Sequence, residues 1–196
     1  MASRSSSKRT QRIAAAGLCV ALFSVLQYVG IRLPINFMGG TISFSMLPIV
    51  LFSLVYGPGW GMVVGALCGC VDLIFEPYLL YPAQVLLDYP LAFACVGLAG
   101  LVAPLTWRRL ARGRKAEVAV LAAAAALLGA GCRFVLHFIS GVIFFASAAK
   151  GQNVYLYSAV YNLSYLIPAG VACGVVLALV APVVLPLLRT QETSHD

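Results

Sequence analysis

The feature that most constrains this chain is its division into long apolar runs, separated by short polar breaks or breaks carrying proline and glycine. Ionisable residues are nearly absent from the runs. Hydrocarbon is spanned by about 20 such residues in a helix, and a helix satisfies every backbone donor and acceptor where water is excluded. Composition closes off a soluble alternative. Of 196 residues, 62% are hydrophobic and 10% charged, against about 25% charged in soluble domains. A soluble domain this short has too much surface to hide so much apolar area, whereas lipid accepts apolar side chains on the outside. The chain reads as an all-α membrane protein with one transmembrane domain.

The breaks divide that domain into six transmembrane helices, over about residues 12–30, 44–56, 61–75, 82–103, 117–145 and 155–188. Residues 1–11 form a basic tail expected to be disordered, residues 12–189 the transmembrane domain, and residues 190–196 a polar tail. The basic start followed by an apolar run resembles a signal peptide. The run is too long for one and no clean cleavage site follows, so it reads as a retained first helix. Gly57-Pro58-Gly59 marks a tight turn. Gly61, Gly65 and Gly69 recur every fourth residue, a stripe that lets another helix approach closely. Pro168 and Pro182 are expected kinks in the last helix, and residues 104–116 are expected to be a basic loop.

Charge sets the orientation. The net charge of +7 is gathered in Arg4, Lys8, Arg9 and Arg12, and again in Arg108, Arg109, Arg112, Arg114 and Lys115. With six spans these segments fall on one side, which the positive-inside rule makes cytoplasmic, with both termini. The opposite loops, carrying Phe37, Tyr78 and Lys150, then face outward together. This is the charge pattern of membrane topology; no basic groove with interleaved aromatics suggests nucleic acid. The six cysteines all lie in apolar runs and read as small buried thiols, because Cys68 and Cys70 are too close for a usual zinc pair and no second pair completes a site. No nucleophile elbow, zinc-protease pair or phosphate-binding loop is present. An enzyme is therefore not indicated, no cofactor or metal is expected, and any ATP-driven activity belongs to partner subunits.

An ionised side chain inside a bilayer needs a partner, a cavity or an interface position, since insertion costs roughly 3 kcal/mol. Asp88 stands about two turns into the fourth helix, at its outward end, with Gln84 one turn earlier and Tyr89 beside it. It reads either as a carboxylate that holds a cationic ligand or as the structural partner of Arg133 or another helix. Arg133 and His137 lie one turn apart on the fifth helix, and His137 either hydrogen-bonds a ligand or bridges two helices. Asp72 reads as structural. Aromatic residues gather toward the outward ends, among them Phe37, Tyr78, Tyr89, Phe145, Tyr157 and Tyr161. Interfacial belts also concentrate tyrosine, but an acid among aromatic faces is the chemistry that binds a flat organic cation.

Three segments carry a resemblance: Gln84 to Phe93 with Gly97 to Gly100, Arg133 to Phe145, and Tyr157 to Pro168. Together they resemble the thiamine-specific substrate-binding subunit of energy-coupling factor transporters, the ThiT (YuaJ) family, across most of the chain. The resemblance implies a six-helix binder with an outward-facing ligand pocket, capped by the loop between the first two helices, in a prokaryotic plasma membrane. Asp88 would face the thiazolium, with Tyr89 beside it. His137, Tyr157, Asn162 and Tyr78 would line the site. Phe145 stands where the family pattern has a stacking tryptophan, Asp88 where it has a glutamate, and Phe37 is the cap residue in a loop without tryptophan. The implied partners are thiamine, a transmembrane coupling subunit and two ATP-binding cassette ATPases. Gly17 and Ala21, spaced small-xxx-small on the first helix, would meet the coupling subunit or else pack within the chain. The alternatives are a subunit for riboflavin or biotin, a solo transporter driven by an ion gradient, or a membrane enzyme.

Overall fold

The computed structural model describes the backbone of residues 2–32, 41–75 and 77–193. Five long helical tracts make up nearly all of it: α1 (Ala2–Tyr28), α2 (Met46–Phe75), α3 (Pro82–Ala111), α4 (Lys115–Phe144) and α5 (Val154–Thr193). Each is long and apolar enough to cross a membrane. Their outward faces are Leu, Val and Ile, such as Leu18, Val25, Ile74, Val120 and Leu179, the surface a lipid solvent calls for. Ile31–Arg32 pairs antiparallel with Thr41–Ile42. The ends of the segment containing Phe37 are thereby held side by side, while Phe37 itself lies outside the described residues.

The expected second and third helices lie within α2. Gly57, at φ 83° and ψ 173°, breaks the tract in two, a conformation that a Cβ disfavours. In a straight helix Ser53 and Gly61 would stand ~12 Å apart. Here a side chain added at Gly61 would run into the Ser53 hydroxyl, so the two arms fold back on each other at Gly57. Pro58 opens the second arm, where its missing N–H costs nothing.

The glycine stripe expected on the second arm meets α3. Any side chain at Gly65 would overlap the Phe93 carbonyl, and any at Gly69 the Tyr89 carbonyl. Gly97 on α3 answers with its own backbone against Gly61 and Met62. Between hydrocarbon-solvated helices, such close backbone packing replaces the hydrophobic effect as the cohesive force. The same logic joins α4 to α5, where α4 buries Ala122, Ala125, Ala126, Gly129 and Ala130 and Gly170 and Gly174 of α5 lie against its side chains and backbone. Phe23 of α1 meets Phe93 of α3 edge-to-face, with centroids 5.0 Å apart, and fastens α1 to this core.

Three expectations are corrected. Residues 2–11 continue α1 as helix rather than forming a disordered tail. The supposed loop at 104–116 is mostly helix: α3 runs on to Ala111 and α4 begins at Lys115. Arginine is a good helix former, and Glu117 closes the turn by pairing with Arg109 at 2.9 Å and Arg114 at 2.8 Å. Finally, the six free thiols are not uniformly buried. Cys19, Cys68 and Cys173 are, Cys95 and Cys132 are half-buried, and Cys70 faces outward.

Candidate functional site

α3 is not a uniform helix. Pro82–Leu86 is α-helical, Leu87–Leu91 is a π-helical turn, and Gly97–Val102 tightens to 3-10. The π turn has a local cause. Pro90 has no N–H to give and its ring crowds the carbonyl four residues back. Widening the turn by one residue relieves this, and the Ala92 N–H bonds back to the Leu87 carbonyl. Such single π turns recur at functional positions, and Asp88 and Tyr89 occupy this one.

Asp88 is the centre of a network spanning two helices. One oxygen, Oδ2, accepts from Gln84 Nε2 at 2.7 Å and from Ser140 Oγ at 2.8 Å. The other, Oδ1, lies 3.1 Å from His137 Nδ1. On the far side of the imidazole, Arg133 Nε donates to His137 Nε2 at 3.1 Å, while the Arg133 guanidinium sits 4.0 Å above the Phe93 ring, a cation–π contact. The expected link from Asp88 toward Arg133 thus runs through His137. His137 bridges α4 to α3, one of its two expected roles. Asp88 retains 15% side-chain exposure and His137 11%.

The order of these groups matters chemically. Serine, histidine and aspartate meet here, but the carboxylate is in the middle, taking a hydrogen bond from each. Nucleophilic catalysis needs the histidine between the other two, to take the serine proton. This arrangement holds a charge in place; it does not activate a hydroxyl.

The described aromatic residues named from sequence connect to this centre through two chains of contacts. The Tyr89 hydroxyl accepts from the Tyr78 backbone N–H at 2.8 Å, and the Tyr78 ring stacks on Phe145 with centroids 5.7 Å apart and planes 26° from parallel. Tyr157 stacks on Tyr161, Tyr161 meets Tyr165 edge-on, and Tyr165 meets the His137 ring edge-on at 6.3 Å. Asn162 joins α5 to α4: its Nδ2 donates to the Ser158 carbonyl at 2.9 Å and the His137 carbonyl at 3.3 Å, and its Oδ1 accepts from the Tyr165 hydroxyl at 2.8 Å. Gly141 makes this approach feasible, because a side chain there would collide with the Ser158 hydroxyl.

Of the eight residues named from sequence for the ligand, seven fall in this one region. The eighth, Phe37, is outside the described residues. Gln84, Ser140, Ser158 and Tyr165 complete the network without having been among them. Gln84 and Asp88 are one turn apart, as are Asn162 and Tyr165, and that spacing was the available signal. Gly17 and Ala21 are exposed on α1, and a side chain added at Gly17 would meet nothing within 4 Å. Of their two readings, packing within the chain is the one this placement disfavours.

Five apolar helical tracts, with a hydrogen-bonded carboxylate held between two of them, define a multi-pass membrane protein. Residues 13–188 match the family described as thiamine transporter protein (Thia_YuaJ), and the chain belongs to that family. It is 35% identical over 156 residues to the thiamine transporter ThiT of Bacillus subtilis (strain 168), across 79% of this chain and 81% of that protein. It is 32% identical over 126 residues to the thiamine transporter ThiT of Lacticaseibacillus paracasei, across 62% and 63% of the two chains. A solved structure of ThiT from Listeria monocytogenes superposes with a TM-score of 0.79 over 96% of this chain and 98% of that one, at 23% identity. That likeness establishes the shared fold.

Proposed function

We propose that the chain captures thiamine from outside the cell as the substrate-binding subunit of an ATP-driven energy-coupling factor importer. Asp88 supplies the charge for the thiazolium. Tyr78, Tyr89, Phe145 and Tyr157 supply ring faces, His137 and Asn162 supply hydrogen bonds, and Phe37, outside the described residues, is assigned to the same ligand. The observation that carries this reading is one carboxylate, held by three donors, in a region walled by aromatic rings. A buried anion calls for a cationic partner, and membership of a thiamine transporter family makes thiamine the fitting one.

In this reading the chain reversal at Gly57 turns five helical tracts into six passages. Both termini and the Arg108–Lys115 turn then face the cytoplasm, and the site opens outward. Gly17 and Ala21 on the lipid-facing side of α1 are the contact for the transmembrane coupling subunit, which links the chain to two ATP-binding cassette ATPases.

Calorimetry on the purified chain tests the reading, with riboflavin and biotin as comparisons. One-to-one capture of thiamine alone is expected. Neither comparison ligand is an organic cation, so tight binding of either, with thiamine ignored, would overturn the role given to Asp88.

A further inference from the structure

Arg133 has no place in the ligand site as described, yet it touches the one group whose protonation decides the charge of that site. A guanidinium Nε–H only donates. Its hydrogen bond to His137 Nε2, at 3.1 Å, therefore requires that nitrogen to carry a lone pair. The imidazole proton must then sit on Nδ1, which faces Asp88 Oδ1 at 3.1 Å. One geometry fixes both the tautomer and the charge state: His137 is neutral and donates to the carboxylate.

The alternative has a clear cost. Imidazolium has two N–H groups and no acceptor, so it would turn a donor toward Arg133 and place two cations beside one carboxylate. With neutral imidazole, Arg133 and Asp88 keep their unit charges at opposite ends of the relay. The Tyr165 ring from α5, edge-on to the imidazole with centroids 6.3 Å apart, adds no cation and does not change this. Histidine is the group here whose ordinary titration falls near neutral pH.

We propose that Arg133 is a positioning residue for the ligand site: by donating to Nε2 it holds His137 as the neutral Nδ1–H tautomer, so that Asp88 offers an uncompensated negative charge to a cationic ligand. The proposal rests on Asp88 being the ligand's counter-charge. Its consequence is an affinity that does not fall through the histidine titration range. Arg133→Met removes the donor and the opposing charge. His137 is then free to take a proton beside Asp88, and the imidazolium competes with the ligand for the carboxylate.

The test has two parts. The chain contains two histidines, His137 and His195, so nitrogen-15 histidine labelling in lipid nanodiscs, in a His195→Gln background, isolates the His137 signals without any ligand. A neutral ring protonated at Nδ1 from pH 8 to 6 is expected. An imidazolium at pH 7, or a ring protonated at Nε2, would overturn the proposal whatever the ligand proves to be. Thiamine affinity is then measured over the same pH range. The parent chain is expected to stay flat within twofold. Arg133→Met is expected to lose about three- to tenfold between pH 8 and pH 6, from the ordinary histidine pKa near 6.5. Arg133→Lys, which keeps a donor and a charge, is expected to restore the flat profile. A flat profile in Arg133→Met also counts against the proposal, whereas loss of thiamine binding at every pH in the parent chain strikes the reading of the site itself.

Discussion

Replacing Asp88 with asparagine preserves shape and removes charge, and the network predicts that the new amide fits badly in either orientation. Placed where Oδ2 was, the amide nitrogen faces the Gln84 amide, itself a donor at 2.7 Å. Gln84 cannot flip to help, because its Oε1 already accepts from the Leu80 backbone N–H at 3.1 Å. Placed where Oδ1 was, the amide nitrogen faces the His137 Nδ1 proton, which the Arg133 hydrogen bond holds there. One mismatched donor pair costs about 1–3 kcal/mol, seen as a lower melting temperature of the unliganded chain. Ligand binding loses more. A cation ~4 Å from a carboxylate gains about 4 kcal/mol at an effective dielectric constant of 20, of which desolvation returns a part. At about 1.4 kcal/mol per decade, thiamine affinity should fall roughly a hundred- to a thousandfold. Calorimetry on Asp88→Asn, with protein that retains its helical circular dichroism, measures this. A change of less than threefold would refute the assignment of Asp88 as the counter-charge.

Gly65→Ala forces a methyl into the Phe93 carbonyl; overpacking of this kind costs roughly 1–3 kcal/mol, so thermal unfolding in detergent should move down by roughly 2–12 °C. Phe145→Ala removes the ring stacked on Tyr78 at 5.7 Å. Losing about 0.5–1.5 kcal/mol of aromatic contact should weaken thiamine binding about three- to tenfold by calorimetry, while Phe145→Trp should hold or improve it. Gly17→Leu adds bulk where nothing lies within 4 Å, so the melting temperature of the isolated chain should not move. Uptake by the assembled ATP-driven complex in liposomes should fall at least tenfold, and normal uptake would remove Gly17 from the partner surface.

The parts of this structure legible in sequence are those written in residue type at fixed spacing. Gly61, Gly65 and Gly69 announced a close helix contact, and all three make one. Asp88 and His137, two of the ionisable residues singled out within apolar runs, proved to face each other across α3 and α4. What stayed hidden depends on backbone irregularity and on polar residues with ordinary packing roles. Pro90 lies in an apolar run that reads as continuous helix, and nothing in its neighbours shows that the strain would be taken up as a π turn at Leu87–Leu91. Ser140 resembles any small helix-packing residue until Asp88 arrives opposite it. Polar composition misled at Arg108–Ala111, where charge was read as loop although the helix simply continues.

The hidden features are also what join the fold to the site. Gly69 has its backbone against the Tyr89 carbonyl and Pro90, so the second arm of α2 presses on the π turn that presents Asp88. Gln84 ties the same carboxylate to the Leu80 N–H, and the Tyr89 hydroxyl ties the next residue to the Tyr78 N–H. The segment before α3 is therefore anchored at two backbone groups by side chains flanking and adjoining Asp88. Both anchors are partly buried hydrogen bonds in an apolar bundle, where a lost partner leaves a polar group poorly solvated. The backbone at residues 78 and 80 and the Asp88 carboxylate are consequently held in one hydrogen-bonded unit. The carboxylate and the segment before α3 are thus tied together twice, Leu80 through Gln84 and Tyr78 through Tyr89.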